Sequence, residues 1–195
     1  MNTTNVYLCH NQSKYRNIDM DCRLAQETDL VSIQKVIKTA FSYEENKVIM
    51  NLAQDLSTET TSLAIKSLVA EVDNQVIGYV TYSPIFLTSA FGISGYILAP
   101  LAVSPEHQKQ GVGSNLIKWG IDMLTKEGAG VLLVYGDPAY YGRFGFREEV
   151  GRSFVPPYQL EHPFGWRGMM LNGTAVPDAP ITFSCVAALS KPDLW

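Results

Sequence analysis

The apolar positions of this chain repeat first at helical and then at strand spacing, and the alternation between the two predicts an α/β fold. A short strand is expected over residues 21–26. Leu30, Ile33, Ile37, Ala40 and Phe41 then keep helical spacing, with Thr28 placed to cap the helix. Val48, Leu52 and Leu56 lie four apart and predict a second helix over about 44–56. Residues 68–72 and 76–82 are β-rich runs around Asp73-Asn74-Gln75, the spelling of a hairpin. Another β-rich run covers 93–103 and is interrupted by Pro100. Proline has no N–H for the ladder, so it should mark a bulge or an unpaired edge, leaving backbone groups for a ligand.

The second half continues the alternation. Val112, Leu116, Trp119 and Met123, with Leu124 beside them, stripe a helix over 111–126 that ends at Gly128-Ala129-Gly130. Residues 131–135 form a short buried strand, so the unit is a right-handed crossover between parallel neighbours. A short helix is expected near 140–144, a strand over 166–171 inside a Pro/Gly-rich region at 153–180, and a last strand over 181–189. Residues 1–20 are polar without a clean period and read as an extension, with 21–195 as a single domain.

Composition narrows the function classes. The chain has 195 residues, 46% hydrophobic and 17% charged, enough apolar material for a core. Its net charge is −4 and its Lys and Arg do not cluster, which argues against nucleic acid as a partner. Cys9, Cys22 and Cys185 are widely spaced with no CxxC or Cys/His metal pattern, the usage of reduced thiols in a cytoplasmic protein without a metal. No apolar run approaches the roughly 18–20 residues of a membrane span, and the N-terminus lacks a secretory pattern.

The chemistry concentrates between Leu101 and Arg143. A strand leads into Gln108-Lys109-Gln110-Gly111-Val112-Gly113-Ser114 at a helix start, where backbone N–H groups and the helix dipole suit a phosphate. A Walker loop is excluded because no lysine follows Gly113. A Rossmann fingerprint is excluded because the third glycine is missing and the unit sits late in the chain. One strand later comes Tyr140-Tyr141-Gly142-Arg143-Phe144-Gly145-Phe146. His107 sits in a polar turn, while His10 and His162 stand alone, so no nucleophilic Ser/His/Asp or Cys/His set is visible.

Leu98-Ala99-Pro100-Leu101-Ala102-Val103-Ser104-Pro105, then Gln108-x-x-Gly111-x-Gly113, then Tyr141-Gly142-Arg143-Phe144-Gly145-Phe146, resembles the GNAT superfamily of acyl-CoA-dependent N-acyltransferases, with a spelling similar to its YhbS-like branch. The resemblance is specific over about 95–146. It implies a GNAT-like α/β fold: a mixed, mostly antiparallel twisted sheet with a central parallel strand pair and helices on both faces. It also implies acetyl-CoA as co-substrate, with Gln108, Lys109, Gln110, Gly111, Val112, Gly113 and Ser114 cradling the pyrophosphate. Leu101, Ala102 and Val103 would lie along the pantetheine arm, where a backbone N–H would face the thioester oxygen. Tyr141 would stand near the departing sulfur as a thiolate stabiliser and general acid. A phenol near pKa 10 passes its proton to a thiolate near 8.5 only uphill, by about 2 kcal/mol, so a hydrogen bond is the cheaper service.

The acceptor side stays open. A primary amine must be neutral to attack, and Glu71, Glu44, Glu45 and Asp137 are the candidate bases. Tyr158, Phe164, Trp166, Met169 and Met170 either line an acceptor pocket or form a satellite core. The expected partner is a small-molecule or peptide amine, with a homodimer admitted and neither nucleic acid nor membrane. The rival reading is a CoA-binding sensor or scaffold that kept the fold without catalysis.

Overall fold

Backbone pairing turns these runs into strands close to the expected bounds. The computed structural model describes residues 20–88 and 94–195, so the polar extension falls almost wholly outside the described residues, as do Cys9 and His10. The strands are β1 (Asp21–Leu24), β2 (Lys66–Val72), β3 (Gln75–Leu87), β4 (Gly95–Val103), β5 (Val131–Tyr135), β6 (Phe154–Val155), β7 (Trp166–Met170) and β8 (Ile181–Cys185). The helices are α1 (Leu30–Ala40), α2 (Tyr43–Thr58), α3 (Val112–Lys126), α4 (Pro138–Tyr141) and α5 (Glu148–Arg152). In hydrogen-bonding order the strands run β1-β2-β3-β4-β5-β7, with β8 paired to β3 and β6 to β8. This is the expected mixed α/β sheet: open, mostly antiparallel, with β4 and β5 as its parallel pair.

The described residues group into two compact units, and β3, β4 and α3 each contribute to both. The first comprises residues 20–57, 66–81 and 100–119. In it β1 pairs antiparallel with β2, from Asp21↔Glu71 to Leu24↔Leu68. Asp73 and Asn74 turn the chain into β3 with φ of 49° and 61°, the left-handed pair a tight hairpin requires. Ile33, Val36 and Ile37 of α1 bury against Ala53, Val69, Tyr79 and Ala102. On the other side of β3, a Cβ on Gly78 would come within 2.7 Å of Val112 and 3.0 Å of Leu116, so the missing side chain is what lets α3 lie close.

Thr28 does not cap α1 in the way its type suggested. It lies inside a 3-10 turn over Glu27–Asp29, and Asp29 reaches back to accept the Gln26 N–H at 2.7 Å. The same carboxylate accepts two hydrogen bonds from Arg23, at 2.6 and 2.9 Å, while Arg23 also donates to both oxygens of Glu71 at 2.9 and 2.6 Å. One guanidinium therefore joins β1, β2 and the start of α1 in a planar, partly buried triad.

The second unit comprises residues 58–65, 82–88, 94–99 and 120–195. Here β4 runs parallel to β5 from Gly95↔Val131 to Leu98↔Val134, and β7 lies antiparallel to β5. Strand β8 pairs with the end of β3, Ile85↔Cys185 to Leu87↔Phe183, and runs parallel to β6. The last strand ends at Cys185 rather than 189, because the chain turns into a 3-10 helix over Ala187–Leu189. That turn is held by Glu59, whose carboxylate accepts the N–H groups of Ala187 and Ala188 at 2.5 and 2.8 Å. A Cβ on Gly120 would come within 2.1 Å of the phenol end of Tyr82, so α3 again approaches β3 at a glycine.

The triad carries a pH dependence. Its hydrogen bonds to Arg23 hold the Asp29 carboxyl below its ordinary value of 3.8. A depressed carboxylate contributes stability that is present above the unfolded pKa and is lost as pH falls through the folded one. Arg23→Met should cost about 2 kcal/mol, between the values for exposed and fully buried pairs. Urea unfolding should show this loss at neutral pH and a narrower gap between variant and wild type below about pH 3.5.

Candidate active site

Strand β4 delivers the chain to the phosphate-suited turn, and side-chain hydrogen bonds fix the delivery. The Ser104 N–H donates to the Ile77 carbonyl at 2.9 Å, and a 3-10 turn over Pro105–His107 follows. Gln108 Nε2 donates to the Val103 carbonyl at 3.1 Å and Gln110 Nε2 to the Glu106 carbonyl at 2.7 Å. Both glutamine side chains are thus engaged in shaping the turn, and what the turn offers outward is backbone. Lys109 has φ of 59° and Gly111 φ of 89°. Two left-handed residues so close together tilt successive N–H groups into a concave array. Lysine tolerates that region at a cost of about 1–2 kcal/mol, whereas glycine adopts it freely.

Helix α3 starts at this turn. Its first bond in the chain order is Asn115 N–H to the Gly111 carbonyl, 2.9 Å. The N–H groups of Val112, Gly113 and Ser114 precede it and have no acceptor one turn back inside the helix. Val112 and Gly113 are buried, Ser114 is half-buried, and residues 108–111 are exposed. A Cβ on Gly111 would meet nothing within 4 Å, so there is open space outside the turn. His107 is half-buried rather than exposed, and its Nδ1 is enclosed without a hydrogen-bond partner.

Leu101, Ala102 and Val103 divide by side-chain direction. Leu101 and Val103 are half-buried, whereas Ala102 is 2% exposed and packs in the α1 core. Ala102 can meet a ligand only through its backbone. The assigned strand continues through Pro100 without a split, but the register with β5 ends at Leu98, two residues before the proline. The structural consequence expected of Pro100 is therefore an end to pairing, not a break in the strand.

Tyr141 belongs to the second unit. Asp137 caps α4 by accepting the Ala139 N–H at 2.8 Å, with Pro138 in the first turn. The N–H groups of Tyr140 and Tyr141 both donate to the Asp137 carbonyl, at 3.1 and 3.0 Å. The Tyr141 ring meets Tyr140 edge-on at 5.1 Å and Phe146 at 5.8 Å. A Cβ on Gly136 would stand 2.6 Å from the Tyr141 ring, so Gly136 makes the space the ring occupies. Sequence reading passed over Gly136, although a glycine directly after a buried strand was the available signal. Burial, and to a lesser degree Tyr140 and Asp137, push the Tyr141 phenol above its ordinary value of 10.0.

Among the candidate bases, Glu71 is held by Arg23, Glu45 accepts from the Ser42 N–H and hydroxyl, and Asp137 caps α4. Glu44 is exposed. The aromatic group separates too. Trp166 is core, its Nε1 donating to the carbonyls of Gly151 and Phe154 at 2.9 and 2.8 Å, while Phe164 is 62% exposed. Met169 and Met170 lie half-buried on β7. No group of three or more metal-ligating side chains comes together among the described residues, and none of their helices is long and apolar enough to cross a membrane.

Known proteins are similar to this chain over most of its length. The acetyltransferase (GNAT) domain model matches residues 64–148, which include both the turn and Tyr141. The uncharacterized N-acetyltransferase YjhQ of Escherichia coli K12 is 32% identical over 159 residues, 79% of this chain and 84% of YjhQ. This chain belongs to the GNAT family of acetyltransferases. The crystal structure of the GNAT family N-acetyltransferase YhbS from E. coli, in complex with CoA, superposes with a TM-score of 0.66 at 26% identity, covering 90% of this chain and 94% of YhbS. A GNAT acetyltransferase from Brucella melitensis, in complex with acetyl-CoA, gives a TM-score of 0.64 at 26% identity over 88% and 99%. The resemblance read from the motifs is therefore correct, as is the fold it implied.

The Gly136–Tyr141 contact makes a prediction. Gly136→Ala should displace the Tyr141 ring and destabilise the fold by about 1–3 kcal/mol through overpacking. Spectrophotometric titration should show the Tyr141 phenol ionising at lower pH than in the wild type, because the displaced ring loses burial.

Proposed function

We propose that this chain is an acetyl-CoA-dependent N-acetyltransferase that moves the acetyl group directly to a primary amine. The observation that carries the reading is the left-handed Lys109–Gly111 turn at the start of α3, with N–H groups ahead of the helix ladder and open space before them. Those features fit an anionic, pyrophosphate-bearing carrier. YhbS with CoA and the B. melitensis protein with acetyl-CoA support the choice of carrier.

Acetyl-CoA supplies an activated acetyl group as a thioester. In this reading the backbone from Gln108 to Ser114 holds the pyrophosphate, and Lys109 adds a charge that solvent screens. The backbone of Leu101, Ala102 and Val103 aligns the pantetheine arm, and an N–H there donates to the thioester oxygen. Tyr141 donates a hydrogen bond to the sulfur as negative charge grows on it. Its raised pKa places full proton transfer still further uphill than the roughly 2 kcal/mol of an unperturbed phenol, so donation without transfer is the role. Much of the acceleration comes from holding thioester and amine together. The small number of buried thiols, Cys22 and Cys185, fits a cytoplasmic setting.

The engagement of Glu71, Glu45 and Asp137 favours one rival, a CoA-binding sensor without turnover. Thiol release with acetyl-CoA and a panel of amines separates the two, since a sensor binds CoA and releases none.

Tyr141→Phe should lower kcat by about a hundredfold while the Kd for CoA stays within about twofold. Because Tyr141 remains protonated, the fall in rate toward acid pH should be the same in variant and wild type and report the acceptor amine. Gly111→Glu places a carboxylate and a strained φ in the turn, and calorimetric titration should detect no CoA binding; binding as tight as wild type would remove the cradle.

A further inference from the structure

The family match ends at Glu148, and directly beyond it the chain builds a groove that the acetyl-donor machinery does not use. The groove has a volume of about 810 Å³, within the range of small-molecule sites. Pro156, Pro157, Tyr158, Phe164 and Trp166 line it, together with the ion-paired side chains of Glu148 and Arg152. The walls are rigid for their size. Trp166 is pinned by its two carbonyl partners, Tyr158 packs on Trp195 at 6.2 Å between ring centres, and the prolines have no φ freedom. Phe164, 62% exposed, is a large apolar side chain in this lining.

The charged cluster at the groove holds two cations and one anion. Glu148 is paired with Arg152 and also lies 3.6 Å from Arg167 Nη2. Two guanidiniums thus share one carboxylate, and the more exposed of them, Arg152, is the one on the groove. An incoming carboxylate can take Arg152 while Glu148 keeps Arg167. Arg167 also donates to the Phe164 carbonyl at 3.2 Å, which braces the lip against the same cluster.

Hydrogen bonds tie the segment that carries Phe164 to the end of β5, from which the chain runs on to Tyr141. The His162 N–H donates to the Tyr135 hydroxyl at 2.7 Å, and the Gly136 N–H donates to the Gly165 carbonyl at 3.0 Å. Gly136 is the residue that makes room for the Tyr141 ring. The Phe164 lip is thus one residue from the segment that seats the tyrosine.

We propose that this groove binds the acceptor, and that the acceptor is an α-amino acid with a large apolar side chain, its side chain against Tyr158, Phe164 and Trp166 and its carboxylate on Arg152. The proposal rests on the acetyltransferase reading. The amine nitrogen bonds to the acetyl carbon as the carbon–sulfur bond breaks; the sulfur leaves as thiolate and one amine proton goes to solvent. An α-amine loses its proton more readily than a lysine side chain, and Asp137, the candidate base of this unit, is already engaged in capping α4.

Calorimetric titration of the full chain with L-phenylalanine, L-phenylalaninamide and L-alanine tests it. L-phenylalanine should bind at least tenfold tighter than either analogue. Arg152→Gln should erase the preference for acid over amide, and Phe164→Ala should narrow the preference for phenylalanine over alanine. Thiol release from acetyl-CoA should follow the same order. Equal binding of acid and amide, or a preference that survives Arg152→Gln, overturns the proposal. So does turnover of other amines that L-phenylalanine neither matches nor inhibits. A chain that binds no CoA and releases no thiol with any amine overturns the acetyltransferase reading and the acceptor role with it, and the CoA titration separates that case from a failed groove.

Discussion

The close approach of α3 to β3 recurs in both units and constrains the helix in each. It depends on two absent side chains, one on each element. Gly78 leaves the strand surface bare under Val112 and Leu116, and Gly120 leaves the helix bare over the Tyr82 ring. A glycine inside a helix costs about 1 kcal/mol relative to alanine. Here the penalty is outweighed, because any Cβ at 120 would occupy the space of a buried aromatic ring. In the first unit the contacts of Val112 and Leu116 with β3 hold the start of α3, next to the turn.

The turn itself is then shaped by short local hydrogen bonds rather than by burial. Gln108 ties back to the end of β4, Gln110 ties to Glu106, and the left-handed residues at 109 and 111 aim the backbone outward. With the glutamine side chains bonded to carbonyls, the N–H groups of the turn are what the proposed phosphate cradle would use. Tyr141 follows the same economy. A capped, one-turn helix and a glycine beneath the ring hold it, so its position owes nothing to a flexible loop. Burial raises the phenol's pKa, so it stays protonated through the neutral range.

Periodicity made the elements legible, since the hydrophobic stripe of α1, the hairpin turn at Asp73-Asn74 and the parallel β4–β5 pair each rest on local sequence. The short elements α5 and β6 escaped it, being too brief to show a period and formed through contact with their neighbours. Among the proposed site residues, the glycine spacing and Tyr141 are legible in the motif. That Ala102 points into the α1 core could not, because the face a strand residue takes depends on what packs against it.

The sequence by itself determined the α/β class, the family, the position of the phosphate-suited turn and the tyrosine that follows it. These depend on residue type and spacing within short windows of chain. The tertiary structure decided which acids are engaged, with Glu71 held by Arg23 across two strands, and which aromatics are core and which line a groove. It also decided that Arg152 and Arg167 share Glu148. Each of those outcomes is a pairing between residues distant in sequence or on different elements, and a partner's identity is fixed only when the fold brings the two groups within bonding distance.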